Sequence, residues 1–342
     1  MSLEQPVLWL GLAGFTPEQS KHLYAQTGKL PKGWPAWQSG TFAEADAWLV
    51  SGEKSRLLNA GTLKILAGRP TERVLQLNLA EIDRPIAFSL PLASSELDPM
   101  YTFDPSSGPS LQKVLQQFEV RLRALRCQFV LGGQLIARED QLLPGIYQVS
   151  YKGALLAVMD FHEWRIGIAP SADPVDFELA RWDRRPLAAR GIPEHFLPNS
   201  LSQLRWIYTQ RTKRDVLPPR YRSKPVFFRR APDVPLRWLQ DSQLVLLREL
   251  SIESAGFAVL QQRTRLPSVQ LARDLASLYF AGSVTTTAGK AGTHGFSSHG
   301  ALPDTAQTDL QATPDTLPSE STDASRTGLR VDLTAPAQLG RK

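Results

Sequence analysis

Apolar and polar positions along the first hundred residues alternate in a way that predicts strands separated by helices. Apolar runs at 7–12 and 45–50 flank a segment at 16–28 that carries a threonine cap, an early proline and a glycine stop, which are signals of a helix. Further strand candidates follow at 61–68, 73–79 and 84–92. Strands that alternate with helices predict a parallel sheet with covering helices, which is an α/β fold.

The clearest helix in the sequence covers residues 110–129. Its apolar residues recur every three or four positions and form one stripe, which consists of Leu111, Val114, Leu115, Phe118, Leu122 and Leu125. The stripe predicts one continuous helix that closes the first domain. The alternative is a pairing helix, through which residues 110–128 of two copies of the chain would form a homodimer.

The pattern changes beyond residue 130 to the alternation of strands, with a hairpin turn in the sequence YKGAL at 151–155. A basic segment that is rich in proline and aromatic residues follows. Residues 236–287 then predict three helices and the opening strand of a wing, which is typical of a winged helix. The predicted third helix buries Val269, Ala272, Leu275, Ala276 and Tyr279, and it turns Ser268, Gln270, Arg273, Asp274 and Ser277 outward.

These patterns divide the chain into four parts. Residues 1–128 form an α/β domain, 129–235 a β-rich basic middle domain, 236–287 a winged-helix-like domain and 288–342 a tail. The tail is dominated by Ser, Thr, Ala, Pro, Gly and Asp, so it cannot bury enough apolar surface to offset the entropy of ordering its backbone. We therefore predict that the tail is disordered.

Composition narrows the class of protein. Hydrophobic residues make up 42% and charged residues 21% of the 342 positions, which is ordinary for a soluble globular protein. No run reaches the roughly 18 apolar residues of a membrane span, and the first residues lack the basic start of a signal peptide. The single cysteine, Cys127, excludes an internal disulfide and predicts a packed residue in a reducing compartment. We expect a cytoplasmic protein that does not bind a membrane.

Charge is concentrated in one segment. Residues 181–230 hold thirteen Lys and Arg against three acidic residues, a net charge of +10, whereas the whole chain carries +6. Guanidinium groups interleaved with aromatic rings predict a nucleic-acid surface, formed by Arg181, Arg184, Arg185, Arg211, Lys213, Arg214, Arg220, Arg222, Lys224, Arg229 and Arg230. Gln270 and Arg273 of the third predicted helix would contact base edges. The alternative is that the arginines pair with acids of the first domain or stand in water.

Residues 5–128 resemble the receiver domain of response regulators in length and in the alternation of strands and helices. The resemblance implies an acidic pair after the first strand that holds Mg²⁺, an Asp after the third strand that accepts phosphate, and a Lys before a Pro near the last strand. Here the first strand ends in GLAGF, Ser51 and Gly52 follow the third, and Leu90 precedes the proline. The resemblance therefore implies a pseudo-receiver, a docking module without phosphoryl chemistry.

Candidate catalytic motifs are weak. Asp160, His162 and Glu163 lie close together, but no second ligand pair completes a metal site. The segment RWDRR at 181–185 is similar to the RxxxR spacing with which PilZ-type domains hold cyclic di-GMP, although the second half of that family's pattern is absent. We therefore predict a regulatory protein that is not an enzyme and that needs no cofactor or metal.

Three functions are compatible with these features. The first is binding of nucleic acid, most simply DNA, through the basic segment and the winged helix. The second is a protein adaptor in signal transduction that is built on the pseudo-receiver and docks a signalling partner. The third is binding of a small anionic ligand such as a cyclic dinucleotide.

Overall fold

The computed structural model describes residues 4–30, 33–59, 61–69, 73–186, 189 and 191–292 of the chain. Strands in the first part of these residues are β1 (Val7–Ala13), β2 (Ala36–Ser39), β3 (Ala47–Val50), β4 (Ser55–Asn59), β5 (Thr62–Ile65), β6 (Leu75–Asn78), β7 (Ile86–Ser89) and β8 (Thr102–Phe103). Five of them form a parallel sheet in the order β2-β1-β3-β7-β8. The parallel sheet predicted from the sequence is confirmed. Counted among the parallel strands alone, the order is 2-1-3-4-5, one of the two common orders of doubly wound sheets.

Two helices cover one face of this sheet. Helix α1 (Pro17–Thr27) begins at a capping box between Thr16 and Gln19, which satisfies two backbone N–H groups that the first turn leaves free. Helix α2 (Gly108–Arg121) follows β8. Leu8 and Leu10 of β1 pack with apolar residues of both helices in one buried cluster.

The opposite face of the parallel sheet is covered by a second, smaller sheet. Strands β4, β5 and β6 pair antiparallel, and Leu63 and Ile65 of β5 pack against Val50 and Phe88 of the parallel sheet. The candidates at 61–68 and 73–79 are therefore strands as predicted, but they lie outside the parallel sheet. A doubly wound fold normally has helices on both faces, and here strands and loops replace them on one.

The helix predicted over residues 110–129 is interrupted at Leu122, and helix α3 (Arg123–Ala137) begins there. Leu111, Leu115 and Phe118 of α2 pack on the parallel sheet, whereas the buried residues of α3 belong to a different core. The prediction of one continuous helix is wrong. All six residues of the predicted stripe contact the core of the parallel sheet, and Leu125 also contacts the core that holds the buried residues of α3. Since the stripe of α2 is buried within the chain, it offers no free surface for the homodimer considered for residues 110–128.

The middle of the chain forms a five-stranded antiparallel sheet in the order β12-β9-β10-β11-β13. Its strands are β9 (Ile146–Tyr151), β10 (Ala154–Asp160), β11 (Arg165–Ile168), β12 (Arg181–Arg184) and β13 (Leu197–Ser200). Lys152 and Gly153 form the predicted hairpin turn with φ of 48° and 82°, as a two-residue turn between twisted strands requires. Helices α3, α4 (Pro174–Glu178) and α5 (Leu201–Arg211) pack in the same core.

Three helices follow, as the sequence predicts: α7 (Asp241–Ile252), α8 (Phe257–Thr264) and α9 (Ser268–Phe280). The predicted wing strand is β15 (Val284–Thr285), but it pairs antiparallel with β14 (Phe227–Phe228), which precedes the three helices in the chain. The short helix α6 (Arg220–Ser223) supplies Tyr221 to the same core. Among the described residues no second strand follows β15, so the hairpin of a standard wing is not formed there.

Helix α5 lies between the middle core and the three-helix core. Its buried residues include Leu204 and Ile207, which pack in the middle core, and Trp206, which packs in the three-helix core. The predicted disordered tail, 288–342, lies outside the described residues except for 288–292, where a 3-10 turn covers Ala288–Lys290. Among the described helices, none combines the length and the hydropathy that crossing a bilayer requires.

Candidate functional site

Parallel sheets of this order bind ligands in a crevice beyond the carboxyl ends of their strands, at the point where the strand order reverses. In this chain that point lies between β1 and β3. Gly14 follows β1 with φ of +79°, and a side-chain carbon there would lie 3.1 to 3.2 Å from Ser51, Lys54 and Ile65. A Cβ on Gly68 would lie only 2.0 Å from the carbonyl oxygen of Phe15. The loop after β5 therefore packs directly onto the chain that leaves β1 and occupies this crevice.

The positions that a receiver would use carry structural contacts. The N–H of Gly52 donates to Oγ of Ser89 at 3.1 Å, and a Cβ on Gly52 would meet the Ser89 carbonyl oxygen at 2.0 Å. Leu90 follows β7, which is the fourth parallel strand, and β8 is the fifth. The N–H of Leu90 donates to the carbonyl oxygen of Phe103 in β8 at 2.8 Å, so Leu90 lies beside the last parallel strand.

Arg211 of the basic segment lies in a buried ion pair that joins the first two parts of the chain. Its Nη1 and Nη2 donate to the two carboxylate oxygens of Asp46 at 2.6 and 2.7 Å, and Nη1 also donates to the carbonyl oxygen of Val7. The guanidinium carbon lies 4.4 Å from the ring centroid of Trp9. The same carboxylate accepts from the N–H of Trp9. Arg211 thus fixes the end of α5 against the parallel sheet.

Glu4 makes a second polar contact at this junction. Its carboxylate accepts from the hydroxyls of Tyr208 and Thr212 at 3.0 and 2.6 Å and pairs with Arg214 at 3.1 Å. The alternative in which arginines pair with acids of the first domain is therefore confirmed for Arg211 and Arg214.

Further arginines of the predicted surface have partners nearby in the sequence. Arg181 pairs with Asp183 at 2.8 Å at the edge of the middle sheet. Arg222 pairs with Asp215 and stacks over the ring of Phe257. The eleven cations of the predicted surface are consequently distributed over several parts of the fold.

Three of these cations, Arg220, Arg229 and Arg230, lie at the carboxyl end of α9. Lys224 precedes β14 by three residues, and we call the four together the basic patch. All four are exposed. Arg220 donates to the hydroxyl of Tyr279 at 2.8 Å, and the N–H of Arg229 donates to the carbonyl oxygen of Ser283. A Cβ on Gly282 would lie 3.1 Å from Nη2 of Arg230. Lys213 is also exposed, beside the junction at Arg214.

Helix α9, the predicted recognition helix, is largely enclosed. Asp274 and Ser277, which were predicted to face outward, are completely buried, whereas Val269, which was predicted to be buried, is 73% exposed. The reason is that α9 packs on α5: the Ser277 hydroxyl lies 2.9 Å from that of Thr209 and accepts from Gln210 at 2.6 Å. Asp274 and Ser277 therefore offer no contact to a base edge.

Gln270 and Arg273 are partly buried. The side chain of Gln270 donates to Oδ1 of Asp274 at 3.0 Å, and Gln243 of α7 donates to the same oxygen at 3.2 Å. Burial raises the pKa of the Asp274 carboxyl, while hydrogen bonds from neighbouring side chains act in the opposite direction. Gln270 therefore belongs to a buried polar network between helices.

Helix α7 presents an apolar face that the sequence analysis missed. Leu244, Val245 and Ile252 are 47%, 42% and 68% exposed. At 3.6 residues per turn these three positions fall within about 100° of arc, and we call them the α7 stripe. The signal for them is present in the sequence, because DSQLVLLRELSI has more apolar residues than one buried face can take. Asp241 and Arg248 lie within the same arc.

A cavity of about 870 Å³ opens at one end of the middle sheet. Its lining includes Arg165, Arg184, Arg185, Asp160, His162 and Glu163. Strand β10 ends at Asp160 and a turn follows, so His162 and Glu163 lie beyond the strand. Oδ1 of Asp160 accepts from the N–H groups of His162 and Glu163, and the carboxylate therefore fixes this turn.

Metal ligands and the single cysteine can be judged directly in the described part of the chain. No group of three or more His, Cys, Asp or Glu residues there could hold a metal ion. Cys127 is buried, its thiol donates to the carbonyl oxygen of Ala172 at 3.3 Å, and burial raises its pKa to about 12. Since a thiolate is needed for attack, Cys127 is a packed residue, as predicted.

No protein-family model, no curated protein sequence and no solved structure matches this chain.

Proposed function

We propose that this chain is a non-catalytic adaptor that docks a partner protein through the α7 stripe. The observation that carries the proposal is the contrast between two helices of the same unit. Helix α9 turns its polar face into the protein, whereas α7 turns Leu244, Val245 and Ile252 toward solvent. Exposed apolar side chains gathered on one surface are characteristic of protein interfaces.

The charges of the three-helix unit also favour a protein partner. Residues 241–284 contain four basic and four acidic side chains, so α7, α8 and α9 lack the net positive charge that drives non-specific binding to DNA. The excess of positive charge lies in the basic patch, which precedes these helices in the chain. Arg248 within the arc of the stripe fits the same proposal, because arginine is enriched at the centres of interfaces. The receiver-like first part would act as a further docking module, since Ser51, Gly52 and Leu90 carry no phosphoryl chemistry.

The role of the α7 stripe in docking is tested by replacing two of its apolar residues with lysine. Val245→Lys with Ile252→Lys should weaken binding of the partner about tenfold or more, because each ammonium group would have to leave water on docking. The partner is first captured from a native lysate on the full chain and identified, and its affinity is then measured for both forms by calorimetry.

The matched control is Val120→Lys, since Val120 on α2 is 70% exposed, close to the 68% of Ile252. Exposed substitutions of this kind change stability by less than about 0.5 kcal/mol, so the thermal midpoint should stay constant in all forms. Equal affinity of the partner for the double variant and the parent would contradict the adaptor proposal.

Nucleic acid is the second candidate, and the basic patch is the specific observation in its favour. Arg220, Lys224, Arg229 and Arg230 are exposed around the end of α9 and β14, and none of them pairs with a carboxylate among the described residues. Phosphate contacts of this kind position a nucleic acid without reading its sequence. Gln270 and Arg273 are partly buried, and Gln270 donates to Asp274, so base readout by these two residues is not part of this proposal.

The basic patch makes a prediction about salt. Lys224→Ala, Arg229→Ala and Arg230→Ala together should weaken binding equally for all duplex sequences and flatten the dependence on log salt by up to ~0.9 for each phosphate that is no longer neutralised. Arg220 is retained because it contacts Tyr279. Gel shifts across a salt series measure the slope, and Arg181→Ala with Arg263→Ala is the control. Absence of binding by the intact chain at low salt would exclude nucleic acid, and the adaptor proposal would be unaffected.

A further inference from the structure

The cavity at the end of the middle sheet lies apart from both surfaces described above. It is bounded by the start of β9, the ends of β10 and β12, and the chain around Ile192. Its volume of about 870 Å³ falls in the range of pockets that hold small molecules. The apolar side chains of Ile146 and Ile192 form part of its wall. The cavity can therefore enclose a ligand with both charged groups and an apolar or planar body.

Two guanidinium groups are held in place at this cavity by backbone carbonyls. Arg184 donates through Nη2 to Pro144 at 2.9 Å, and Arg185 donates through Nη1 to Gly191 at 2.7 Å. Gly145 permits the close approach of Arg184, since a Cβ there would lie 2.9 Å from its Nε. A guanidinium carries five N–H donors, so each group keeps four without a partner among the described residues. One of these, the Nε–H of Arg185, is buried.

The acids that line the cavity do not neutralise these two arginines. Asp160 accepts from backbone N–H groups of its own turn, and Glu163 pairs with Arg165 at 3.1 Å. In the described part of the chain, no carboxylate forms an ion pair with Arg184 or Arg185. Arg184 and Arg185 thus give their side of the cavity an excess of positive charge.

We infer that this cavity binds a small molecule with two or more phosphate or carboxylate groups, held by Arg184 and Arg185. Fixed guanidinium groups recognise such anions through paired, charge-assisted hydrogen bonds. Arg181 of the same segment lies outside the cavity lining and pairs with Asp183, so the site uses Arg184 and Arg185. The inference does not depend on the adaptor proposal, because the α7 stripe belongs to another core.

Inorganic pyrophosphate is a suitable probe, and its binding to the full chain can be measured by calorimetry at low salt. Arg184→Gln and Arg185→Gln should each weaken the affinity about tenfold, the loss that one charge-assisted interaction gives. Arg181→Ala, from the same strand, should bind as the parent does, and so should the triple variant of the basic patch.

The rise of the thermal midpoint on addition of pyrophosphate provides a second readout that does not depend on the stability of each variant. It should be present in the parent, Arg181→Ala and the triple variant, and reduced in Arg184→Gln and Arg185→Gln. The inference is overturned if the parent does not bind pyrophosphate, or if Arg181→Ala loses affinity as much as the two Gln variants do.

Discussion

At the scale of single residues, the Asp274 carboxyl couples stability to pH. The side chain is completely buried, and burial raises its pKa because the charged form loses hydration. The folded protein therefore holds this proton at pH values where the unfolded chain, with a pKa near 3.9, has released it. As the pH rises through this window, the contribution of Asp274 to the free energy of unfolding decreases.

Asp274→Asn should remove this dependence. The amide oxygen can still accept from Gln243 and Gln270, whereas no charge has to be buried at neutral pH. We expect the thermal midpoint to rise by a few degrees at pH 7 and to match the parent below about pH 4, where both side chains are neutral. Calorimetric scans between pH 4 and pH 7 measure the thermal midpoints of the parent and the variant. Asp233→Asn, at an exposed position, is the control. A midpoint that falls equally at all pH values would show that the carboxyl is needed for packing.

The arginines of the basic segment could be located from the sequence, but their individual partners could not. The excess of cations is a local property of residues 181–230, and it was visible in the sequence. The partners are not local, because Asp46 lies 165 positions from Arg211 in the chain and Glu4 lies 208 positions from Thr212. Only the fold shows that Arg211 is buried in a junction while Arg229 and Arg230 face solvent.

At the scale of elements, hydrophobic periodicity predicted the type of each helix or strand better than it predicted which elements contact each other. The alternation in the first part gave a parallel sheet, and residues 236–287 gave three helices. Periodicity does not specify which strands pair, so β5 and β6 were not separated from the parallel sheet, and the partner of β15 was not foreseen. It also does not reveal that α9 hides polar residues, because a serine that hydrogen-bonds across to α5 has the same sequence signal as one in water.

At the scale of the whole molecule, the ion pair of Arg211 and Asp46 links two cores. Both side chains are about nine-tenths buried, so removal of one partner leaves a buried charge without compensation. Arg211→Met should lower the free energy of unfolding by about 3 to 5 kcal/mol. In Arg211→Met with Asp46→Asn the loss should be smaller, because no charge remains and the Asn oxygen can still accept from the N–H of Trp9.

Urea unfolding of the parent, both single variants and the double variant completes a double-mutant cycle. A coupling energy of roughly 0.5 to 3 kcal/mol is expected for groups in direct contact. Losses that add within about 0.5 kcal/mol would show that the pair contributes nothing beyond its separate members. We also expect a single urea unfolding transition in all four proteins, because α5 contributes residues to two cores and would couple their unfolding.

The pairing of β14 with β15 has a consequence for synthesis on the ribosome. Phe227 and Phe228 leave the exit tunnel before α7, α8 and α9, and their partner strand at Val284–Thr285 comes after all three helices. Chains fold vectorially as they emerge, so these aromatic residues remain without their strand partner until translation has passed the end of α9. During that interval the nascent chain exposes two phenylalanines beside a run of arginines, whose charge would disfavour association between neighbouring nascent chains.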